Sequence, residues 1–395
     1  MEDLGNAVLE PTKLKKIKIL SLSWRDIKSP KAGGAEIFTH NMLAYNAQQY
    51  EIVSFSPSFP GGIDGEVIDN ITYFRKGGIF SVIWHAFCYY KKNQKDIDYV
   101  IDQCNTHRFF TKFWVPKSKR IFLIFQLTRE IWAYHMAFPF CKLGKWLETS
   151  MLRLNRNDIT ITESESTKQD LISVGYQSEK ICIIPIGLDF EPWKIERWVE
   201  KKDTPVFIYV GRYARYKGID AAIESIALLK KHHPTAQLWI VGKCDQQYTE
   251  DVLIPLCQKL GLSMGYDERD DVVLWGFVSA EKKVELQSRS TALLFPSLRE
   301  GWGMIVTEAA AVGTPSIVYN SPGCRDAVNF GKCGYLCKEN TPEELANLMQ
   351  RTIENRGEYF EIQQSAYNFS CDFNWAKTGL AFAHLIENLQ ENQNG

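Results

Sequence analysis

Two glutamates eight positions apart, Glu300 and Glu308, lie in the stretch Arg299–Val312 (REGWGMIVTEAAAV). The short apolar run Ala292–Phe295 reads as a strand, which puts Glu300 in the loop after it and Glu308 within the following helix. At about 1.5 Å of rise per helical residue, the two carboxylates stand up to roughly 12 Å apart. That is too far for both to act on one bond, and it matches the reach of a nucleotide sugar from glycosyl ring to ribose. Gly301 and Gly303 bare the backbone between them, and the free N–H groups of the helix start suit a diphosphate. A cationic partner follows another strand-like run, PVFIYV, as Gly211-Arg212 and, five residues after the arginine, Lys217-Gly218. Two such cations can clamp a pair of phosphates and stabilise the charge that develops on a leaving nucleotide.

These groups need a scaffold that brings several strand ends to one place. The chain has 395 residues, 46 Lys+Arg against 47 Asp+Glu, 45% hydrophobic and 24% charged residues. Those values are ordinary for a globular protein and exclude a disordered chain or a strongly basic nucleic-acid binder. Strand patterns at Lys16–Leu22, Tyr50–Phe55, Val67–Arg75, Tyr99–Cys104, Lys119–Gln126, Asp158–Thr162 and Ile181–Pro185 alternate with helical ones. A second series follows at Pro205–Val210, Ala236–Val241, Val272–Trp275, Ala292–Phe295, Ser316–Tyr319 and Gly334–Leu336. Each series starts as a strand, a loop and a helix, the opening unit of an α/β sheet whose carboxyl edge faces a crevice. The expected organisation is one domain from 1–189 plus a returning helix at 375–395, a polar linker at 190–204, and a second domain at 205–374.

Other signals narrow the chemistry. The longest apolar run, Gly78–Tyr90, falls short of the roughly 20 residues of a membrane-spanning helix. The N-terminal residues lack the pattern of a secretory signal, so a cytoplasmic location is expected. Ten scattered cysteines without a CxxC pair read as reduced thiols. Asp96-Ile97-Asp98 spells DxD, but it precedes a strand, and the Arg212 and Lys217 cations make a metal unnecessary; no metal or other cofactor is expected. No GxGxxG fingerprint or P-loop occurs. Between Thr106 and Arg156 ten basic residues stand against only Glu130 and Glu148, interleaved with nine aromatics from Phe109 to Trp146. That mixture, with Phe122 and Phe125 in the strand at Lys119–Gln126 besides those nine, suits an anionic membrane surface or a polyanionic acceptor; the alternative is a basic acceptor cleft whose aromatics are core.

The order of motifs resembles the retaining GT-B glycosyltransferases of family 4. Gly211-Arg212…Lys217-Gly218, Trp275-Gly276-Phe277, Pro296-Ser297-x-x-Glu300-Gly301-x-Gly303 with Glu308-Ala309, and Gly313-Thr314-Pro315 carry the resemblance in the second half. In the first half it rests on Trp24-Arg25-Asp26, Ala32-Gly33-Gly34-Ala35-Glu36, Ser164-Glu165-Ser166-Thr167-Lys168 and Pro185-x-Gly187-x-Asp189, and then on Phe373-Asn374-Trp375 at the crossover. The resemblance implies two Rossmann-like domains facing across a cleft, with the C-terminal helix crossing back. It implies a donor site in which Glu300 holds the sugar hydroxyls and the backbone of Gly301, Trp302, Gly303, Met304 and Ile305 lies near sugar and diphosphate. Glu308 would take the ribose, Arg212 and Lys217 the diphosphate, Gly34 would approach from across the cleft, and Trp275, Gly276 and Phe277 would lie beside the base.

Where the family carries a histidine just before a Gln-Leu-x-Arg-Glu segment, this chain has Phe125, followed by Gln126, Arg129 and Glu130. Gln126, Arg129 and His135 are the acceptor-side candidates. The implied reaction moves a hexosyl group, glucose as a first guess, with retention. The donor would be a nucleotide sugar, UDP-linked by preference, and the acceptor a saccharide or lipid-linked saccharide of surface polysaccharide assembly. Phe125 keeps open a nucleotide-sugar-binding protein of weak activity, and the fold keeps open an epimerase or phosphorylase.

Overall fold

A computed structural model describes residues 16–105, 107–200 and 204–394. Apolar runs buried on both faces form strands with parallel neighbours. The first sheet contains β1 (Lys18–Leu22), β2 (Glu51–Ser56), β3 (Glu66–Ile68), β4 (Ile71–Arg75), β5 (Tyr99–Cys104), β6 (Arg120–Ile124), β7 (Ile159–Thr162) and β8 (Ile181–Ile183), in the order β3-β4-β2-β1-β5-β6-β7-β8. The second contains β9 (Val206–Val210), β10 (Gln237–Val241), β11 (Met264–Gly265), β12 (Val272–Gly276), β13 (Ala292–Phe295), β14 (Ser316–Val318) and β15 (Tyr335–Leu336), in the order β11-β12-β10-β9-β13-β14-β15. Among the described strands only the β3–β4 pair is antiparallel. Both sheets are of the expected Rossmann-like α/β type, and each reverses its winding direction beside its first strand, between β1 and β5 and between β9 and β13. At such a reversal the loops leaving the carboxyl edge diverge and open a crevice.

The element expected at Val67–Arg75 is two strands. Asp69 and Asn70 adopt positive φ values of 48° and 64°, the conformation of a two-residue hairpin turn that folds the chain back on itself. Without a glycine the turn escapes sequence reading. The two-residue strand β11 likewise has no pattern of its own.

The two halves share one core. A continuous cluster of buried apolar side chains runs from Ile19, Phe38 and Phe125 to Trp302, Val306 and Phe373, and on to Phe382 and Ile386. The last two belong to the helix Trp375–Asn394, which packs on the helix Gly34–Ala44 of the first half. Asn46, just past that helix, donates from Nδ2 to the Gly379 carbonyl at 2.9 Å. The residues of Pro185-x-Gly187-x-Asp189 dock the same helix. Thr378 Oγ1 donates to the Pro185 carbonyl at 2.8 Å, and the Trp375 indole N–H donates to Asp189 at 2.8 Å. Gly187 lies so close that an added Cβ would stand 2.6 Å from both Trp375 Cε3 and its backbone nitrogen. Beyond Asp189 the chain settles on the second half: the Trp193 N–H donates to the Ala311 carbonyl at 2.9 Å, and Trp198 packs edge-on against Tyr367.

Gly187→Ala is therefore expected to destabilise the protein by about 1–3 kcal/mol in urea unfolding. Gly78→Ala, whose Cβ would meet nothing within 4 Å, is expected to stay within about 0.5 kcal/mol.

Candidate active site

The loop after β13 carries the site. Arg299 is buried, with 4% of its side chain exposed, yet its partners belong to the other half: Nε reaches Glu130 at 2.7 Å, and the guanidinium also pairs with Asp170. The next residue faces the opposite way. Glu300 forms an ion pair with Lys217, which leaves the loop after β9, and both side chains are largely buried. Sequence spacing nominated both residues, and folding joins them across 83 positions. Gly323 allows this packing, since a Cβ there would overlap the Glu300 carbonyl and lie 2.9 Å from its Cβ.

Gly303 sits at φ 101° as the N-cap of the helix Met304–Ala311. A left-handed cap there favours glycine and exposes the first N–H groups of the helix. Glu308 follows on that helix and is buried, with Oε2 2.5 Å from Lys283 Nζ. Burial lifts the Glu308 carboxyl above the usual range, and the Lys283 ammonium opposes that shift. Lys283 was not nominated; it comes from the helix Ala280–Arg289 after β12. The site therefore holds two buried carboxylates, each against its own lysine, with bare glycine backbone between them.

The first half closes over this loop. A Cβ on Gly34 would lie 3.1 Å from Met304 Sδ, so Gly34 stands against the start of the helix Met304–Ala311 from across the cleft. A Cβ on Gly301 would overlap Glu163 Oε1 and lie 3.1 Å from the Phe125 carbonyl. The Ser166 N–H, just inside the helix Glu165–Ser173, donates to Asp326 at 2.9 Å, again across the cleft. Phe125 turns its ring inward, edge-on to Phe38 at 5.5 Å, and brings no polar side chain to the position. Glu163, directly after β7, supplies one. Burial, with the nearby Glu300 carboxylate as a lesser cause, pushes the Glu163 carboxyl up to about 8. Within the run Glu163-Ser164-Glu165 it reads as part of a helix cap, and no spacing distinguishes it.

Several nominated side chains go elsewhere. Arg212 is exposed and reaches Tyr216 at 3.3 Å, not Glu300. Trp275 packs 5.4 Å from Trp239 and under Lys282, against the apolar cluster shared by the two halves, while Phe277 is the exposed aromatic at that strand end. The Trp302 indole donates to Thr307 at 2.9 Å and stacks toward Phe373 at 5.1 Å, leaving only its backbone beside the loop. Arg129 bonds Thr149 at 3.1 Å within the first half, and its neighbour Glu130 is the residue that crosses to Arg299. Gln126 is partly buried, and its Oε1 has no hydrogen-bond partner. The side chain of His135 lies outside the described residues. Asp98 of the DxD triplet accepts the Lys18 N–H at 2.8 Å, at the amino ends of β1 and β5, the edge remote from the cleft.

The raised Glu163 carboxyl has a definite sign in stability. A free glutamate ionises near 4.5, and the folded one holds its proton to about 8, so the folded state binds more protons between these values and stability falls as pH rises through that window. Glu163→Gln is expected to melt with the wild type at pH 4.5 and above it at pH 8.5, in thermal scans of the ligand-free protein.

With this geometry in place, comparison with known proteins is direct. Residues 32–192 match the model for Glycosyltransferase Family 4, and residues 192–369 match that for Glycosyl transferases group 1. An uncharacterized glycosyltransferase of Methanocaldococcus jannaschii is 28% identical over 211 residues, 50% of this chain and 51% of that one. A glycogen synthase of Mycobacterium tuberculosis is 26% identical over 234 residues, 59% of this chain and 54% of that one. The chain thus spans about half the length of these relatives. Among solved structures, sucrose-phosphate synthase from Thermosynechococcus elongatus superposes with a TM-score of 0.75 at 20% identity, covering 95% of this chain and all of that one. HepE from Anabaena, in complex with UDP and glucose, gives 0.67 at 16% identity over 94% and 99% of the two chains. Two facing Rossmann-like sheets, matched half by half to these two models, place this chain among the glycosyltransferases of GT-B type.

Proposed function

We propose that this chain transfers a hexosyl group, glucose as the first candidate, from a UDP-sugar to a saccharide or lipid-linked saccharide, with retention and without a metal. The setting proposed is surface polysaccharide assembly on the cytoplasmic side of a membrane. The observation that carries the reading is the pair of lysine–glutamate contacts, Lys217–Glu300 and Lys283–Glu308, flanking Gly301–Gly303 and the helix start. The UDP and UDP-glucose held by HepE, of the same fold, support a uridine donor.

In this reading the diphosphate lies against the N–H groups after Gly303 and draws the Lys217 ammonium to itself, which releases the Glu300 carboxylate for the sugar hydroxyls. Glu308, its charge balanced by Lys283, accepts from the ribose hydroxyls. The bond from the anomeric carbon to the phosphate oxygen breaks while the acceptor oxygen bonds to that carbon on the same face. The acceptor's proton passes to the departing phosphate oxygen. The protein's share is orientation and stabilisation of phosphate charge. No carboxylate is required as a covalent nucleophile, so the 83-position Lys217–Glu300 contact serves binding rather than bond making. The inward Phe125 ring favours one other reading, a nucleotide-sugar-binding protein without turnover.

Calorimetric titration with UDP tests the site. Glu308→Ala, and Arg212→Ala combined with Lys217→Ala, are each expected to weaken UDP at least tenfold, the scale of one lost charge-assisted contact. Glu300→Gln is expected to leave UDP affinity within about threefold and to lower sugar transfer at least a hundredfold. Unchanged UDP affinity in the first two variants defeats the assignment. Tight UDP binding with no transfer to any acceptor establishes the second reading.

A further inference from the structure

The first half contains a cavity of about 400 Å³ that the donor site does not use. This lies within the range of about 300–1,000 Å³ typical of small-molecule pockets. It opens beside the helix Phe140–Leu152 and runs to the carboxyl edge of the first sheet, with Ile124 and Leu152 in its floor and Trp24 and Trp132 in its walls. Its mouth is formed by side chains that a protein in water normally hides: Phe80, Phe140, Leu143 and Leu147 are 80%, 57%, 50% and 46% exposed. Just outside the lining, Trp84, Phe113, Phe138 and Trp146 are exposed as well. Five aromatics of the basic segment, Phe113, Tyr134, Phe138, Phe140 and Trp146, are therefore surface, while Phe109, Phe122 and Phe125 are core. Apolar exposure on this scale marks a surface that meets another apolar phase.

Charge and position specify what enters. Of the ten basic residues between positions 107 and 156, only Arg120 forms an ion pair among the described residues, with Asp158. Lys142 and Lys145 stand on the same helix as the mouth residues Phe140, Leu143 and Leu147, and Arg108 is in the lining itself. Glu148, the acid in the lining, is already committed, accepting from the Thr128 and Arg129 N–H groups and from the Trp132 indole. The inner end carries Gln126 with its unpartnered Oε1. Gln126 directly follows Phe125, whose carbonyl lies against Gly301 of the donor loop. Consecutive Cα atoms are about 3.8 Å apart, so the cavity ends one residue from the proposed site of sugar transfer.

We infer that this cavity holds the hydrocarbon chain of a lipid-linked acceptor bearing an anionic phosphate head group, with the exposed aromatics at its mouth admitting the chain from a bilayer. The inference rests on the lipid-linked acceptor of the proposed function and adds where its chain is held. The floor and the apolar mouth bury methylenes, while the phosphate and the polar end that must reach the donor sugar lie at the inner end, where Arg108, beside Cys104, and Gln126 line the cavity.

The probes are 8-bromooctyl and 12-bromododecyl phosphate below their micelle concentrations, read by quenching of tryptophan fluorescence, since Trp24 and Trp132 line the cavity. Saturable quenching is expected, tighter by about two orders of magnitude for the longer chain, at about fourfold per buried methylene. Uncharged 12-bromododecyl maltoside is expected to bind at least tenfold more weakly than the phosphate. Leu143→Arg with Leu147→Arg, and separately Phe80→Ser, are expected to weaken the dodecyl probe at least tenfold while UDP affinity stays at the wild-type value. All three positions are exposed enough to accept a polar side chain without unfolding. Quenching that does not saturate, that ignores chain length or head-group charge, or that survives in both variants overturns the inference. UDP titration of the same samples reports separately on the donor site, so failure of the chain site and failure of the glycosyltransferase reading give different results.

Discussion

Arg299 is the constraint on which the arrangement turns. It belongs to the second half, is buried, and finds both of its carboxylates, Glu130 and Asp170, in the first. A guanidinium removed from water in this way needs its partners, and Asp170, 25% exposed against 54% for Glu130, is the one less screened by solvent. The loop after β13 is thereby tied to the opposite half at one residue, and its neighbours follow from that. Glu300 is turned to Lys217, Gly301 is brought beneath Glu163 and the Phe125 carbonyl, and Gly303 starts the helix that carries Glu308.

In the site each of two glutamates is paired with its own lysine, Glu300 with Lys217 and Glu308 with Lys283, so their charges balance pairwise. Under the proposed function an entering diphosphate would compete with Glu300 for Lys217, and the freed carboxylate would gain sugar hydroxyls in exchange. Glu163 fits the same logic. Buried, facing bare glycine backbone and near Glu300, it lowers its own cost by keeping its proton. The protonated form is a hydrogen-bond donor in a position where Phe125 offers only a ring.

How far the sequence discloses this depends on the kind of signal. Strands bounded by turns and buried on both faces, such as Tyr99–Cys104 and Ala292–Phe295, are legible to the residue because the boundary and the apolar run coincide. The pair Asp69-Asn70 is not, since positive φ without glycine leaves little trace in composition. The loop chemistry of Glu300, Glu308 and Lys217 is legible because spacing alone restricts it. Lys283 is hidden because its role comes from the helix after β12 lying beside the helix after β13, a relation that exists only in three dimensions. Glu163 is hidden behind a sequence that is adequately explained as a helix cap. Trp275 departs in the opposite direction: it stands in a motif position, but its ring packs on the core and the exposed neighbour Phe277 remains at the crevice, whereas Trp302, nominated for its backbone, simply turns its ring to the core.

The two chain crossings between the halves lie side by side. Asp189, where the chain leaves the first half, accepts a hydrogen bond from Trp375, where the last helix returns to it. The halves are also joined by the apolar cluster that runs from Phe38 and Phe125 to Trp302 and Phe373, so the crossing, the shared core and the Arg299 and Ser166 contacts together hold them in one register. The apolar part of that joint is non-directional and would tolerate small shifts, whereas a guanidinium removed from water must meet its carboxylates at hydrogen-bond distance to offset its lost hydration. The core therefore supplies the adhesion between the halves, and the Arg299 cluster supplies the geometry, fixing the loop after β13 against the first half at one residue.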